Sequence, residues 1–140
     1  VSRSMGTMGA NKIQGLRGVE DGKAFEKGLN NTTTAHDLLL IFEKIAKGEA
    51  VNDKASLAMI NILLDQHFNE IIPALLPPDV KVAHKTGSIT RVHHDSGIVM
   101  LPDDRRYVLV LLSKEWENEK EAIQTMANIS LLIYKYVTRN

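Results

Sequence analysis

The chain has 140 residues, enough for one modest domain, since chains commonly devote about 100–200 residues to each. Its 17 Lys and Arg balance 17 Asp and Glu, so no charge excess points to a nucleic acid, an anionic membrane or an acidic partner. Hydrophobic residues at 44% and charged residues at 24% are ordinary globular usage, and the absence of cysteine removes disulfides, thiolate nucleophiles and cysteine metal sites together.

The longest uninterrupted apolar run, 107–112, is far below the roughly 18 residues that a membrane-spanning helix requires. The opening Val1-Ser2-Arg3-Ser4-Met5 has neither an initiator Met nor a signal-peptide pattern, so the expectation is a chain cut by processing or belonging to something longer.

Residues 1–34 carry Gly6, Gly9, Gly15, Gly18, Gly22 and Gly28, which predicts a loop-rich segment with a short helix near 1–7. At Thr34 the character changes. Thr34 is a good N-cap, Asp37 stands where a capping box returns its bond, and Leu38, Ile41, Phe42, Ile45 and Ala46 follow at helical spacing up to Gly48. Asn52 caps a second helix, with Leu57, Ile60 and Leu64 on one stripe and Met59 and Leu63 beside it.

After Pro77-Pro78 the period switches to 2. Val80 and Val82 alternate with Lys81 and Ala83, the pattern of a half-exposed strand. The apolar runs 98–101 and 107–112, joined by Pro102-Asp103-Asp104-Arg105-Arg106, predict a hairpin. From about Asn118 to Val137, the stripe Ala122, Met126, Ile129, Ile133 and Tyr136 predicts a long helix laid on the sheet. The fold class expected is α+β: an antiparallel sheet of three strands with a C-terminal helix, preceded by a loop and two helices.

Lys85-Thr86-Gly87-Ser88 directly follows the first predicted strand and is the most informative tetrad in the chain. A Lys and a hydroxyl at a strand end can hold a carboxylate, while glycine lets a ligand approach the backbone. Alone, the tetrad also reads as a plain strand-to-loop transition. With 29–38 (Leu-Asn-Asn-Thr-Thr-Thr-Ala-His-Asp-Leu), the two helices, 82–88, the hairpin from Gly97 to Leu112 and the final helix, the chain resembles the C-terminal portion of a class A β-lactamase or a related penicillin-recognising serine hydrolase. The resemblance covers residues 1–140 nearly throughout, in order and spacing.

The resemblance implies that Lys85 is the active-site strand lysine, attracting the carboxylate of a β-lactam, and that Thr86 hydrogen-bonds that carboxylate. It implies further that Gly87 keeps the strand edge open and that the Ser88 backbone N–H is one of two oxyanion-hole donors. Arg17-Gly18-Val19-Glu20 resembles the opening of the loop in which class A enzymes hold a general-base glutamate, which makes Glu20 the candidate for activating the deacylating water. The family's Asn four residues beyond is Ala24 here, so Glu20 also reads as a solvated loop carboxylate, and Asp21 is an alternative.

Two further departures stand out. The family's Ser-x-x-Lys nucleophile and Ser-x-Asn motifs do not occur, so this chain holds no nucleophile of that kind. Ser96 occupies the place before Gly97 where many members carry an arginine for the substrate carboxylate, which puts substrate range in doubt.

His93-His94-Asp95 reads as a polar loop or strand entry rather than a metal cluster, because neighbours on a strand face opposite ways. His84 is expected to point away from Lys85 into packing, His36 and His67 to lie on helix surfaces, and Trp116 to anchor the last helix.

The implied activity is β-lactam hydrolysis by acylation of a serine, with no cofactor and no metal, in the periplasm or outside the cell. The implied partners are a β-lactam or related small molecule and an N-terminal portion carrying the nucleophile. The alternatives are a slowly deacylating penicillin-recognising esterase or peptidase, and a non-catalytic fragment or interaction module.

Overall fold

The computed structural model describes residues 2–139; the expected helical start at Val1 lies outside them, and helix α1 runs Ser2–Thr7. Five-residue α2 (Gly22–Glu26) follows within the glycine-rich segment, then α3 (Ala35–Ala46), α4 (Asp53–Leu64), strands β1 (Lys81–Ile89), β2 (Val92–Met100) and β3 (Arg106–Lys114), and α5 (Glu119–Val137). The strands form one antiparallel sheet in the order β1-β2-β3. Helices α3 and α4 cover one face and α5 the other, as the α+β reading requires.

The caps explain where the long helices begin. Thr34 accepts from the Asp37 N–H, Asn52 from the Ala55 N–H, and Asn118 from the Lys120 and Glu121 N–H groups, each satisfying amides that the first turn leaves without partners. Asp37 does not close the expected capping box. Its carboxylate is buried and accepts from the Lys12 N–H, tying the loop to the start of α3. A backbone bridge between Gln14 and Thr32 closes the rest of that loop.

Strand alternation divides the core in two. Val82, Val99 and Leu109 meet Ile71, Ile72 and Met126 on the α5 side, whereas Ala83 and Ile98 meet Phe42 and Ile45 on the α3 side. Because both faces are covered, Val82, Ala83 and His84 are buried in succession, which corrects the expected half-exposed strand.

Both expected helix stripes shift. On α4 the residues turned to the core are Ser56, Met59, Ile60 and Leu63, while Leu57 is exposed. On α5 the buried line is Ala122, Met126, Ala127 and Ser130, with the Ser130 hydroxyl donating to the Ile72 carbonyl at 2.8 Å; Ile129 and Tyr136 face outward. His67 lies past the end of α4, in a loop where its N–H donates to Gln66 Oε1.

Gly97 pairs with His84 across β1 and β2, and a Cβ there would stand 2.5 Å from His84 Cβ and 2.6 Å from the Ala83 carbonyl oxygen. Both obstacles are main chain or rigidly attached to it, so the strands must part. Gly97→Ala is expected to destabilise the complete protein by about 3 kcal/mol, read as a lower urea midpoint by circular dichroism.

Candidate active site

Strand β1 carries the Lys-Thr-Gly-Ser tetrad inside the strand rather than after it. Pairing with β2 continues through Lys85↔Ser96, Thr86↔Asp95, Gly87↔His94 and Ser88↔His93 to the turn at 90–91, where Arg91 takes a φ of 62°. Residues 93–95, expected as a polar loop or strand entry, lie within β2, one residue past its start. The opposite edge of β1 has no strand partner among the described residues, so alternate N–H and C=O groups along the tetrad face outward.

Alternation separates the tetrad's side chains. Lys85 shares its parity with Ala83, on the α3 side, and is exposed, its ammonium donating to the Thr86 carbonyl. Thr86 and Ser88 share the parity of Val82, on the α5 side. Ser88 Oγ lies 3.1 Å from His93 Nδ1, and a Cβ on Gly87 would come no nearer than 3.9 Å to another atom, so nothing crowds that position.

Beneath Lys85 lies a polar clamp that the sequence did not reveal. His84 and Asp95 are fully buried, with Nδ1 2.8 Å from Asp95 Oδ1. Asp95 Oδ2 accepts from the Ile72 N–H at 3.0 Å, and His84 Nε2 lies 3.2 Å from Asn69 Oδ1. Asn69 Nδ2 turns to the carbonyls of Gln66 and His67, which orients its oxygen toward the imidazole. Two strands and the loop after α4 are thus joined at the residue preceding Lys85. His84 does point away into packing, as expected, but into a polar site.

A groove of about 380 Å³ runs along the α5 side of this edge, lined by Thr86, Gly87 and Ser88 together with Phe68 and Glu70 from the pinned loop and Glu119 at the start of α5. His93, buried beside Ser88, and His94 also line it; burial lowers the pKa of His94, whose Nδ1 lies 2.8 Å from the His93 carbonyl oxygen and 3.1 Å from the Ser113 nitrogen. Among the described residues no three His, Asp or Glu side chains converge as a metal donor set. A larger concavity between α3 and β3, lined by Leu39, Glu43, Lys47 and Arg106, contains none of the tetrad.

Glu20 does not line the groove and is exposed; its carbonyl accepts from the Gly22 N–H, and its carboxylate has no hydrogen-bond or ion-pair partner among the described residues. Asp21 is the N-cap of α2, its Oδ1 accepting from the Ala24 N–H at 3.0 Å. Arg17 holds the loop's shape: it donates to the carbonyls of Gly18 and Val19 and lies over the Phe25 ring, while the Asn31 side chain bonds both the N–H and the carbonyl of Arg17.

The sequence profile of the beta-lactamase enzyme family matches residues 1–137. A beta-lactamase of Bacteroides uniformis is 31% identical over 71 residues, spanning 45% of this chain and 24% of that protein. PBP-A, solved as a mutant acyl-enzyme complex with penicillin G, superposes with a TM-score of 0.85 at 26% identity over 96% of this chain and 49% of that one. A beta-lactamase of Chitinophaga pinensis superposes at 0.89 with 22% identity over 98% of this chain and 54% of that one. The chain therefore spans about a quarter of the curated relative and about half of these two solved structures. No helix among the described residues is long and apolar enough to cross a membrane. The profile runs from the first residue to within the last turn of α5, over the same strands and helices that the superpositions share, and on that ground the chain belongs to the beta-lactamase enzyme family.

Proposed function

We propose that the complete protein is a serine hydrolase of the class A β-lactamase type, periplasmic or secreted, which acylates a serine with a β-lactam, releases the opened product by water attack and so confers antibiotic resistance. The observation that carries this reading is the Lys85-Thr86-Gly87-Ser88 tetrad on an open strand edge in a member of the beta-lactamase enzyme family. The serine and its lysine come from an N-terminal portion, because no serine of this chain has a lysine three positions on.

Each residue then has one task. The Lys85 ammonium attracts the ring carboxylate, and its positive charge favours the anionic form of the reacting serine. The Thr86 hydroxyl donates to the same carboxylate from the other side of the strand edge. Gly87 leaves the backbone uncovered. The Ser88 N–H donates to the oxyanion of the tetrahedral intermediate, where a fixed dipole stabilises charge as it develops.

Lys85→Ala in the complete protein is expected to cost more kcat/KM on a cephalosporin than Thr86→Ala. The lysine supplies a full charge to both substrate and site; the hydroxyl supplies one bond worth about 1.5–3 kcal/mol to a charged group. Steady-state kinetics decide it, and equal or reversed losses would remove these roles.

For deacylation the candidate base is Glu20, since Asp21 is occupied as a helix cap. Glu20→Gln is then expected to trap a covalent penicilloyl adduct, visible by intact-protein mass spectrometry. Rapid loss of the adduct in that variant would return Glu20 to a surface carboxylate. The second reading, a penicillin-recognising esterase or peptidase that deacylates slowly, is favoured by the exposure of Glu20 and its want of any partner that would fix it. In that case the adduct already persists in the unmodified protein.

A further inference from the structure

We infer that His84 is a positioning residue for the reaction proposed above: held at both ring nitrogens, it fixes the rotation of β1 and, through the backbone, the place of the Lys85 ammonium. This rests on the β-lactam reading and adds what aims the lysine. Lys85 does not aim itself. Its side chain is exposed, and among the described residues its ammonium donates only to the carbonyl of its own neighbour, Thr86. A lysine on so flexible a stem takes its mean position from the backbone that carries it.

That backbone is held by the residue before it. Successive side chains on a strand project to opposite faces, so a His84 ring fixed on the face of Val82 dictates the direction in which Lys85 leaves the other. The ring is fastened from two elements: Nδ1 lies 2.8 Å from Asp95 Oδ1 on β2, and Nε2 lies 3.2 Å from Asn69 Oδ1 in the loop after α4. A planar ring tied at both ends cannot turn without breaking one of these contacts.

The register strengthens the hold. Asp95 pairs with Thr86 rather than with His84, so its bond to the ring runs diagonally and resists both sliding and rolling of β1 over β2. Gly97, the partner of His84, has no side chain to displace the ring. His84 is 1% exposed and Asp95 0%, and a hydrogen bond in so dry a place is stronger than in water. The other edge of β1 has no strand partner among the described residues, so no ladder on that side shares the task.

The test is a double-mutant cycle on the complete protein, read as the acylation rate constant in single-turnover mixing with a chromogenic cephalosporin. The constant comes from the time course and does not depend on the fraction of molecules folded, so a merely structural role would leave it unmoved. His84→Leu removes both contacts and should lower the constant about tenfold, within the cost of slightly misplacing a reacting group. His84→Asn, whose amide nitrogen takes the place of Nδ1, should recover most of that loss. With Lys85→Ala already present, His84→Leu should cost less than about twofold, because the group it aims is gone. Asn69→Ala, at an exposed position, removes the outer contact alone and should cost about threefold with Lys85 in place and no measurable amount without it; it decides the matter if His84→Leu does not fold. Equal fractional losses with and without Lys85, or no loss in these variants, overturn the inference while leaving β-lactam hydrolysis intact. Failure of the unmodified complete protein to be acylated by the cephalosporin or by benzylpenicillin overturns the underlying reading, and the inference with it.

Discussion

Asp95→Ala in the complete protein should cost about 3–5 kcal/mol of stability, because it leaves two buried donors unsatisfied at about 1–3 kcal/mol each. The carboxylate is fully buried and serves two donors, the Ile72 N–H and His84, and alanine leaves both without a partner in an interior that water does not reach. The loss would be felt first where the clamp acts. Without Asp95 the loop carrying Phe68 and Glu70 loses its tie to β2 through the Ile72 N–H, and His84, just before Lys85, keeps only Asn69. Asp95→Asn keeps an acceptor for one donor and should lose less, about 1–3 kcal/mol. Urea unfolding followed by circular dichroism measures both. A loss below about 1 kcal/mol for Asp95→Ala would show that the clamp is not what joins loop and strands.

That clamp also marks the limit of what the sequence made legible. The starts of α3 and α4 were readable because Thr34 and Asn52 act within their own first turn, and such signals depend on neighbours three residues away. The β2–β3 hairpin was readable from its apolar runs. Asp95 was not, because its partners His84 and Ile72 are 11 and 23 residues distant, and only the strand register brings them together. In the linear sequence it is one of several polar residues between apolar runs.

The same reasoning explains the misplaced end of β1. Residues 85–88 are polar because they sit at an open edge, and polarity at an edge looks like a loop. On α5, apolar residues occupy more than one side, so the stripe through Ile129 and Tyr136 competed with the buried line through Ala127 and Ser130; contact with the sheet chose the second. The tetrad itself was legible. Its neighbours in the groove, Phe68, Glu70 and Glu119, were not, since they come from separate elements.

The isolated chain is expected to show no β-lactam turnover and to associate. It has no serine in a Ser-x-x-Lys setting. Strand β3 pairs with β2 on one edge and with nothing among the described residues on the other, although its middle is uninterruptedly apolar. An unpaired apolar edge is a template for another chain. Helix α5 adds an outward apolar line, with Leu132 65% and Tyr136 77% exposed beside Ile129. Size-exclusion chromatography of the purified chain would then give oligomers or aggregate, and a single monomeric peak would remove the argument from the open edge.

The central claim, that this chain supplies the substrate-holding strand of a serine β-lactamase whose nucleophile lies elsewhere, is tested most directly by hydrolysis of a chromogenic cephalosporin, measured for the chain alone and after co-expression with its upstream half. The expected result is no turnover alone and turnover on co-expression that is abolished by Lys85→Ala. A monodisperse 140-residue chain that hydrolyses the cephalosporin by itself would contradict it.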